Sequence, residues 1–264
     1  MSFIADGHIH LYPNFDLNQV LVSSHKKLLD LAQTDKVILF SVEPEGQFEF
    51  LNIKSGKREL PENCEIIKEV GENVIQLKTE HGDNLYLVAG RQVVTKENLE
   101  FSVLFSTEDI SDGLSFGQLN SSIGSSVLTL NWSPGKWMFE RAEIVKKLVN
   151  ENPDLILCDT ALRFKGFPLP EVMKQENNII AGSDAFPLQD EEVRTGTYGF
   201  VSKSDLDLKE AILEGDLEIV GKRLSAVEVT KKLFNLKKEK LNKKLNKRFK
   251  KKSTKKNSEL SASL

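Results

Sequence analysis

His8 and His10 stand two residues apart in Asp6-Gly7-His8-Ile9-His10, and the chain has only 4 histidines. If the segment is a strand, residues i and i+2 share a face, and two imidazoles can converge on one metal at about 2.0–2.1 Å each. The alternative is a pair of surface or hydrogen-bonded histidines. Several other expected strands also end in polar residues: Glu43, Trp132, Asp159 and Asp184. In β/α barrels and open α/β sheets, chemistry lies beyond the strand C-termini. Glu43 and Asp159 are therefore candidates to complete a coordination shell. Their structural alternatives are a loop carboxylate beside Pro44 and a helix cap or turn residue.

Cationic groups near the same rim suggest an anionic small-molecule substrate. Trp132-Ser133-Pro134-Gly135-Lys136-Trp137 follows one expected strand and opens a helix, so backbone N–H groups and Lys136 can hold an anion. Arg91 follows an apolar run, and Arg163 lies four residues after Asp159. The bland reading leaves the two tryptophans as packing, Lys136 as solvated, and Arg194 paired with local carboxylates.

These residues need a scaffold of alternating strands and helices. Phe3 to His10, Lys36 to Glu43, Phe101 to Ser106, Val127 to Trp132, Leu155 to Asp159, Asn178 to Asp184 and Tyr198 to Ser202 read as strands. Helices are expected over Leu17 to Gln33, Lys136 to Asn150, Leu169 to Glu176, Asp205 to Glu214 and Ser225 to Leu236. From about 46 to 98, short alternating segments and the turns Lys54-Ser55-Gly56-Lys57 and Glu80-His81-Gly82-Asp83-Asn84 read as an antiparallel hairpin insertion. Setting aside that stretch and the tail leaves roughly 185 residues, against about 250 for a full eightfold barrel. The expected fold is α/β: a distorted (β/α) barrel of about seven strands over residues 1–236, with a basic helix or tail over 237–264. A doubly wound open sheet stays open as an alternative, although no Gly-rich first turn is present.

Composition bounds the rest. The 264 residues are 39% hydrophobic and 28% charged, with 2 Cys and 16 Gly. That excludes collagen-like, disulfide-scaffold and wholly disordered classes. The net charge of -3 hides a split. From Lys237 onward 12 lysines and arginines face only Glu239 and Glu259, giving +10; the other 24 cations face 37 carboxylates, giving -13. Cys64 and Cys158 are far apart, as in a reduced, cytoplasmic protein. No signal peptide and no transmembrane segment are expected. No Rossmann glycine motif, P-loop, G-x-S-x-G elbow or C-x-x-C is present, so nucleotide cofactors and serine-hydrolase chemistry have little support.

His8-Ile9-His10 on a first strand, together with Gly182-Ser183-Asp184-Ala185 on a late one, resembles the PHP and amidohydrolase-like metallohydrolases. GRQVVTKENLEF, the W-x-x-GKW segment, GSDAFP and RTGTYGF look like a bacterial branch of that superfamily, which implies no particular substrate. The resemblance implies a β/α barrel with metals at the strand C-termini. It assigns His8 and His10 as ligands and Asp184 as a ligand or handler of the water's proton. In many PHP domains the late motif ends in His; here Phe186 occupies that place, and no middle histidine ends a strand. His25 falls in an expected helix and His81 in a hairpin turn. The implied activity is hydrolysis of a phosphoester or amide by water activated on a divalent metal, with Asp184 as candidate general base and Lys136 beside it. A mixed set of imidazoles and carboxylates suits Zn, Mn or Fe. The competing reading is a degenerate barrel serving as a binding or accessory module.

Leu233, Leu236, Leu241, Leu245 and Phe249 recur between lysines, so a basic amphipathic helix is expected from about Ser225 to Phe249. Its candidate partners are an anionic surface or nucleic acid. The alternatives are a solvated, partly disordered tail and a tail lying on the acidic body of its own or a neighbouring chain.

Overall fold

The computed structural model describes residues 2–133, 136–138, 140–174, 178–204, 206–214, 216–239 and 241. β1 (Phe3–Ile9) leads through a π-helical turn (Asn18–Ser23) and α1 (Ser24–Leu31) to β2 (Lys36–Glu43). α2 (Glu49–Lys54), β3 (Cys64–Glu69), β4 (Val74–Thr79), β5 (Gly82–Val94) and β6 (Glu100–Leu104) follow. α3 (Phe116–Ser122), β7 (Val127–Asn131), α4 (Glu140–Glu151), β8 (Ile156–Thr160) and β9 (Ile179–Gly182) come next. β10 (Tyr198–Ser202), α5 (Leu208–Glu214), β11 (Leu217–Gly221) and α6 (226–239) complete the described chain.

The main sheet runs β11-β10-β1-β2-β5-β6-β7-β8-β9. β9 also lies against β1 and β10, so the sheet nearly closes into a barrel. Nine strands on this path replace the seven expected. The difference has a physical source. β5 falls inside the stretch read as an insertion, yet it pairs in parallel with β2 and antiparallel with β6. β3 and β4 form a hairpin on the outer part of β5. β11 adds an edge strand through β10. Of the helix expected over Leu169 to Glu176, the described part is one 3-10 turn, Glu171–Lys174; residues 175–177 lie outside the described residues. The same holds for the tail from 242 onward.

The strands alternate between two faces. Phe3, Ala5, Ile38, Phe40, Val88, Leu104, Val127 and Phe200 fill the barrel interior. Ile4, Ile9, Val37, Leu39, Leu85 and Leu87 pack outward with the helical turns of residues 18–31. That double burial is why β2 reads as an unbroken apolar run.

Closure depends on two glycines. A Cβ on Gly7 would lie 2.8 Å from the Ala181 carbonyl oxygen, and one on Gly182 would lie 2.5 Å from the His8 Cβ. No side chain fits between β1 and β9. Asp6 holds the seam polar: its Oδ1 accepts from Ser183 N (2.8 Å) and His8 N (3.3 Å), and its Oδ2 accepts from Gly196 N (2.9 Å). Burial pushes the Asp6 carboxyl up to about 6, although those N–H donors pull it down.

Gly182→Ala is expected to destabilise the fold by about 1–3 kcal/mol or more, because β1 and β9 must part. Gly117→Ala, in α3 with open space around it, should instead stabilise by about 0.5–1 kcal/mol. Urea midpoints of the two variants check both signs.

Candidate metal centre

His8, His10 and Asp184 converge, and their ligand atoms lie within 4.8 Å of one another. His8 Nε2 is 3.2 Å from His10 Nε2. Asp184 Oδ1 is 3.7 Å from the first and 3.6 Å from the second. Ligand atoms about 2.0–2.1 Å from a tetrahedral centre stand about 3.3–3.4 Å apart, so the three fit one small cation.

A bulge aims the histidines. β1 pairs with β2 as Asp6↔Leu39 and then Ile9↔Ser41, which inserts one extra residue. Before the bulge, Phe3 and Ala5 face inward; after it, Ile9 faces outward. His8 and His10 therefore turn into the barrel mouth. Asp184 arrives from the other side of the seam. It follows β9 with a positive φ of 47°, and its N–H donates to the His8 carbonyl oxygen at 2.9 Å. Asp residues adopt this left-handed backbone more readily than most.

The supporting shell sets the rings. His10 Nδ1 lies 2.7 Å from the Val42 carbonyl oxygen. A carbonyl only accepts, so Nδ1 carries the proton and Nε2 presents its lone pair to the centre. His8 Nδ1 lies 3.4 Å from Ser102 Oγ, which accepts from Asn131 Nδ2 at 2.8 Å. Asn131 Oδ1 in turn accepts from the Thr129 hydroxyl at 3.1 Å. The two Nε2 atoms are compatible at 3.2 Å only with a proton or a cation between them. Burial pushes His8 below its ordinary pKa, with Asp184 opposing. Burial alone raises the Asp184 carboxyl, but His8, His10 and Arg194 outweigh it and hold the group below the usual carboxylate range. Neutral imidazoles facing a carboxylate are the form that binds a divalent ion.

Alternation sends the other strand-end residues elsewhere. Glu43 faces outward. It accepts from Glu49 N (2.8 Å) and Phe50 N (2.6 Å), capping the start of α2, and Arg91 lies 3.6 Å away. Arg91 donates to the Gln47 and Pro44 carbonyls and to Asp109, and stacks on Phe48, so it clamps the 44–48 loop. Asp159 is buried among Arg163 (2.7 and 2.6 Å), Arg223 (2.6 Å) and the Tyr198 hydroxyl (2.6 Å). The structure thus joins Asp159 to Arg163, and neither to the histidines. Trp132 packs outward with Trp137, Val145 and Val149. His25 bonds Thr79 and Asn84, with His81 nearby; neither is at the centre.

Lys136 donates to Glu100 Oε2 at 2.8 Å. Glu100 escapes a search of strand C-termini, because β6 runs antiparallel and brings its first residue to the same rim. Polar and apolar residues alternate through Glu100-Phe101-Ser102-Val103, and that pattern was the available signal. Ser102 and Asn131 were missed for the same reason. Tyr12, stacked on His10 at 4.8 Å, was missed because it lies past the strand. Pro134 and Gly135, read as an anion-holding turn, lie outside the described residues.

No protein-family model matches the chain, and no curated protein matches it. Among solved structures, the fold is similar to that of PsfC from Pseudomonas syringae PB-5123, with a TM-score of 0.51 and 14% identity over 91% of this chain and 99% of that one. A looser likeness, with a TM-score of 0.45 and 13% identity, links 83% of this chain to 58% of the lesion-specific endonuclease PfuEndoQ from Pyrococcus furiosus. At such identities the likeness to PsfC concerns the fold alone.

Asp159→Asn leaves two guanidinium groups without their shared carboxylate. It is expected to cost about 3–5 kcal/mol in stability while leaving the metal content of the folded protein unchanged. Thermal unfolding alongside elemental analysis checks it; loss of metal from folded protein would instead make Asp159 a ligand.

Proposed function

We propose that this chain is a metal-dependent hydrolase of the PHP and amidohydrolase-like kind, acting on a phosphoester or amide. The observation that carries the reading is the His8–His10–Asp184 cluster at the mouth of a nearly closed barrel. Three protein donors are the usual complement of a catalytic zinc site, which keeps one position open. The mixed imidazole and carboxylate set also suits Mn or Fe.

His8, His10 and Asp184 would hold the ion. Bound there, it supplies Lewis acidity that activates water and polarises a carbonyl or phosphoryl oxygen. The chain's own groups do the rest. Val42 fixes the His10 tautomer, and Ser102 with Asn131 orients His8. The Asp184 carboxylate, held ionised, accepts the proton of the attacking water. Lys136, tethered to Glu100, keeps donors for an anionic substrate group. Arg91, Trp132 and Arg163 are committed to other partners, so this reading assigns them no part in substrate binding.

A second reading rests on Phe186, which stands where a further ligand is expected, and on the prior engagement of Glu43 and Asp159. In it the barrel binds metal without turnover, as an accessory module.

Protein reloaded with Zn, Mn or Fe is expected to retain about one ion per chain. His8→Ala with His10→Ala should abolish retention without unfolding. Failure to retain any of the three ions would overturn the proposal. Hydrolysis across phosphoester and amide panels, abolished by Asp184→Asn, separates the enzyme from the accessory module. Because His8 protonates only below its ordinary 6.5, it should not limit uptake between pH 8 and 6.5, and retention should fall at lower pH.

A further inference from the structure

α6 has two apolar faces, and among the described residues only one of them is covered. Ser225 and Glu228 start the helix with reciprocal bonds: Glu228 N donates to Ser225 Oγ at 3.3 Å, and Ser225 N donates to Glu228 Oε2 at 2.8 Å. Val229 is buried against the body, Lys232 pairs with Glu191, and Leu236 is half-buried on the same side. The outward side carries Val227 and Phe234, exposed by 77% and 68%. Leu241, also helical, is exposed by 58%. These three recur every seven residues and so lie nearly in line. By helical repeat, Lys231 and Lys238 fall beside that line, roughly 40–60° from its mean direction, while Glu228 and Glu239 fall about 100° or more away.

Three occupants compete for such a face. A second copy in a coiled coil needs apolar residues at both seam positions, and the second position here is filled by Thr230, Lys231, Lys237 and Lys238. Nucleic acid would use the lysines and leave Val227 and Phe234 in water. An anionic lipid surface uses both, taking the apolar line into the headgroup boundary and the lysines onto phosphates. The charge distribution agrees. In the sequence the segment from Lys237 carries +10 and the rest -13, so such a surface attracts that segment and repels the rest.

We propose that α6 docks this protein on an anionic membrane surface, with Val227, Phe234 and Leu241 inserted at the headgroup level. Docking is independent of the metal chemistry. The full chain is mixed with vesicles of phosphatidylcholine alone, or of phosphatidylcholine with phosphatidylserine, and sedimented. The expected result is sedimentation with the mixed vesicles only. Val227→Glu with Phe234→Glu should weaken it about tenfold or more, with the circular dichroism spectrum unchanged. Phe234→Trp should show a blue-shifted emission on adding mixed vesicles, which decides the matter if the double variant does not fold. Absence of wild-type sedimentation overturns the proposal, and so does a folded double variant that binds as well as wild type. Tight binding to duplex DNA without vesicle binding assigns the face to nucleic acid. A dimer in sedimentation velocity that the double substitution abolishes assigns it to a second copy.

Discussion

β1 and β9 approach so closely at Gly7 and Gly182 that neither position has room for a Cβ, and the Asp6 carboxylate fills the polar needs of that contact. This seam closes the barrel. It also makes the site, since His8 and His10 leave it on one side and Asp184 on the other, with the Asp184 N–H bonded back to the His8 carbonyl. The three donors are thus fixed by main-chain contact rather than by long side chains. Such a site loses little entropy on binding an ion, because Val42 sets the His10 tautomer and Ser102 with Asn131 holds the His8 ring in place.

The inner and outer faces of the barrel carry two separate polar systems. Thr129, Asn131, Ser102 and His8 form a chain inside, each acceptor facing a donor. Asp159, Arg163, Arg223 and Tyr198 form another outside. The outer cluster satisfies one buried carboxylate with two cations and a hydroxyl, which is what burial demands of a charge. The inner one leaves its end, the paired Nε2 atoms and Asp184, incomplete without a proton or a cation. Completeness separates the structural cluster from the candidate functional one, even though both lie at strand ends.

Much of the architecture is legible in the residues. Lys36 to Glu43 and Tyr198 to Ser202 form strands with the bounds their patterns give; strand-end position marks His8, His10 and Asp184 only alongside Glu43, Trp132 and Asp159, and it is the resemblance to the metallohydrolases that groups the three. Alternation was legible too, although the strand-end argument left it unused. Val37, Leu39, Ser41 and Glu43 share a parity, as do Leu157 and Asp159, and both sets face outward. A strand-end carboxylate reaches a barrel mouth only when its parity points inward. The bulge in β1 was not legible, because an extra residue has no signature in Asp6-Gly7-His8-Ile9-His10; without it, plain alternation from Phe3 and Ala5 would turn both histidines outward. Nor was the role of β5, whose first half reads as hairpin because β4 pairs with it, while β2 pairs with it along the opposite edge.

α6 touches the same framework from outside. Lys232 pairs with Glu191, Glu191 with Arg194, and Arg194 donates to the carbonyls of Ser183 and, at 3.4 Å, Asp184. The Arg194 guanidinium also helps keep the Asp184 carboxyl ionised. One buried arginine therefore connects the backbone that presents the candidate ligand Asp184 to the helix with the exposed apolar line. The inner face of α6 is tied to the loop after β9 by charge, and its outer face is left to whatever surface the lysines select. Held on its inner side by the Lys232–Glu191 pair and the buried Val229, the helix keeps its apolar line accessible without loosening the seam, because the seam's own contacts at Gly7, Gly182 and Asp6 do not pass through it.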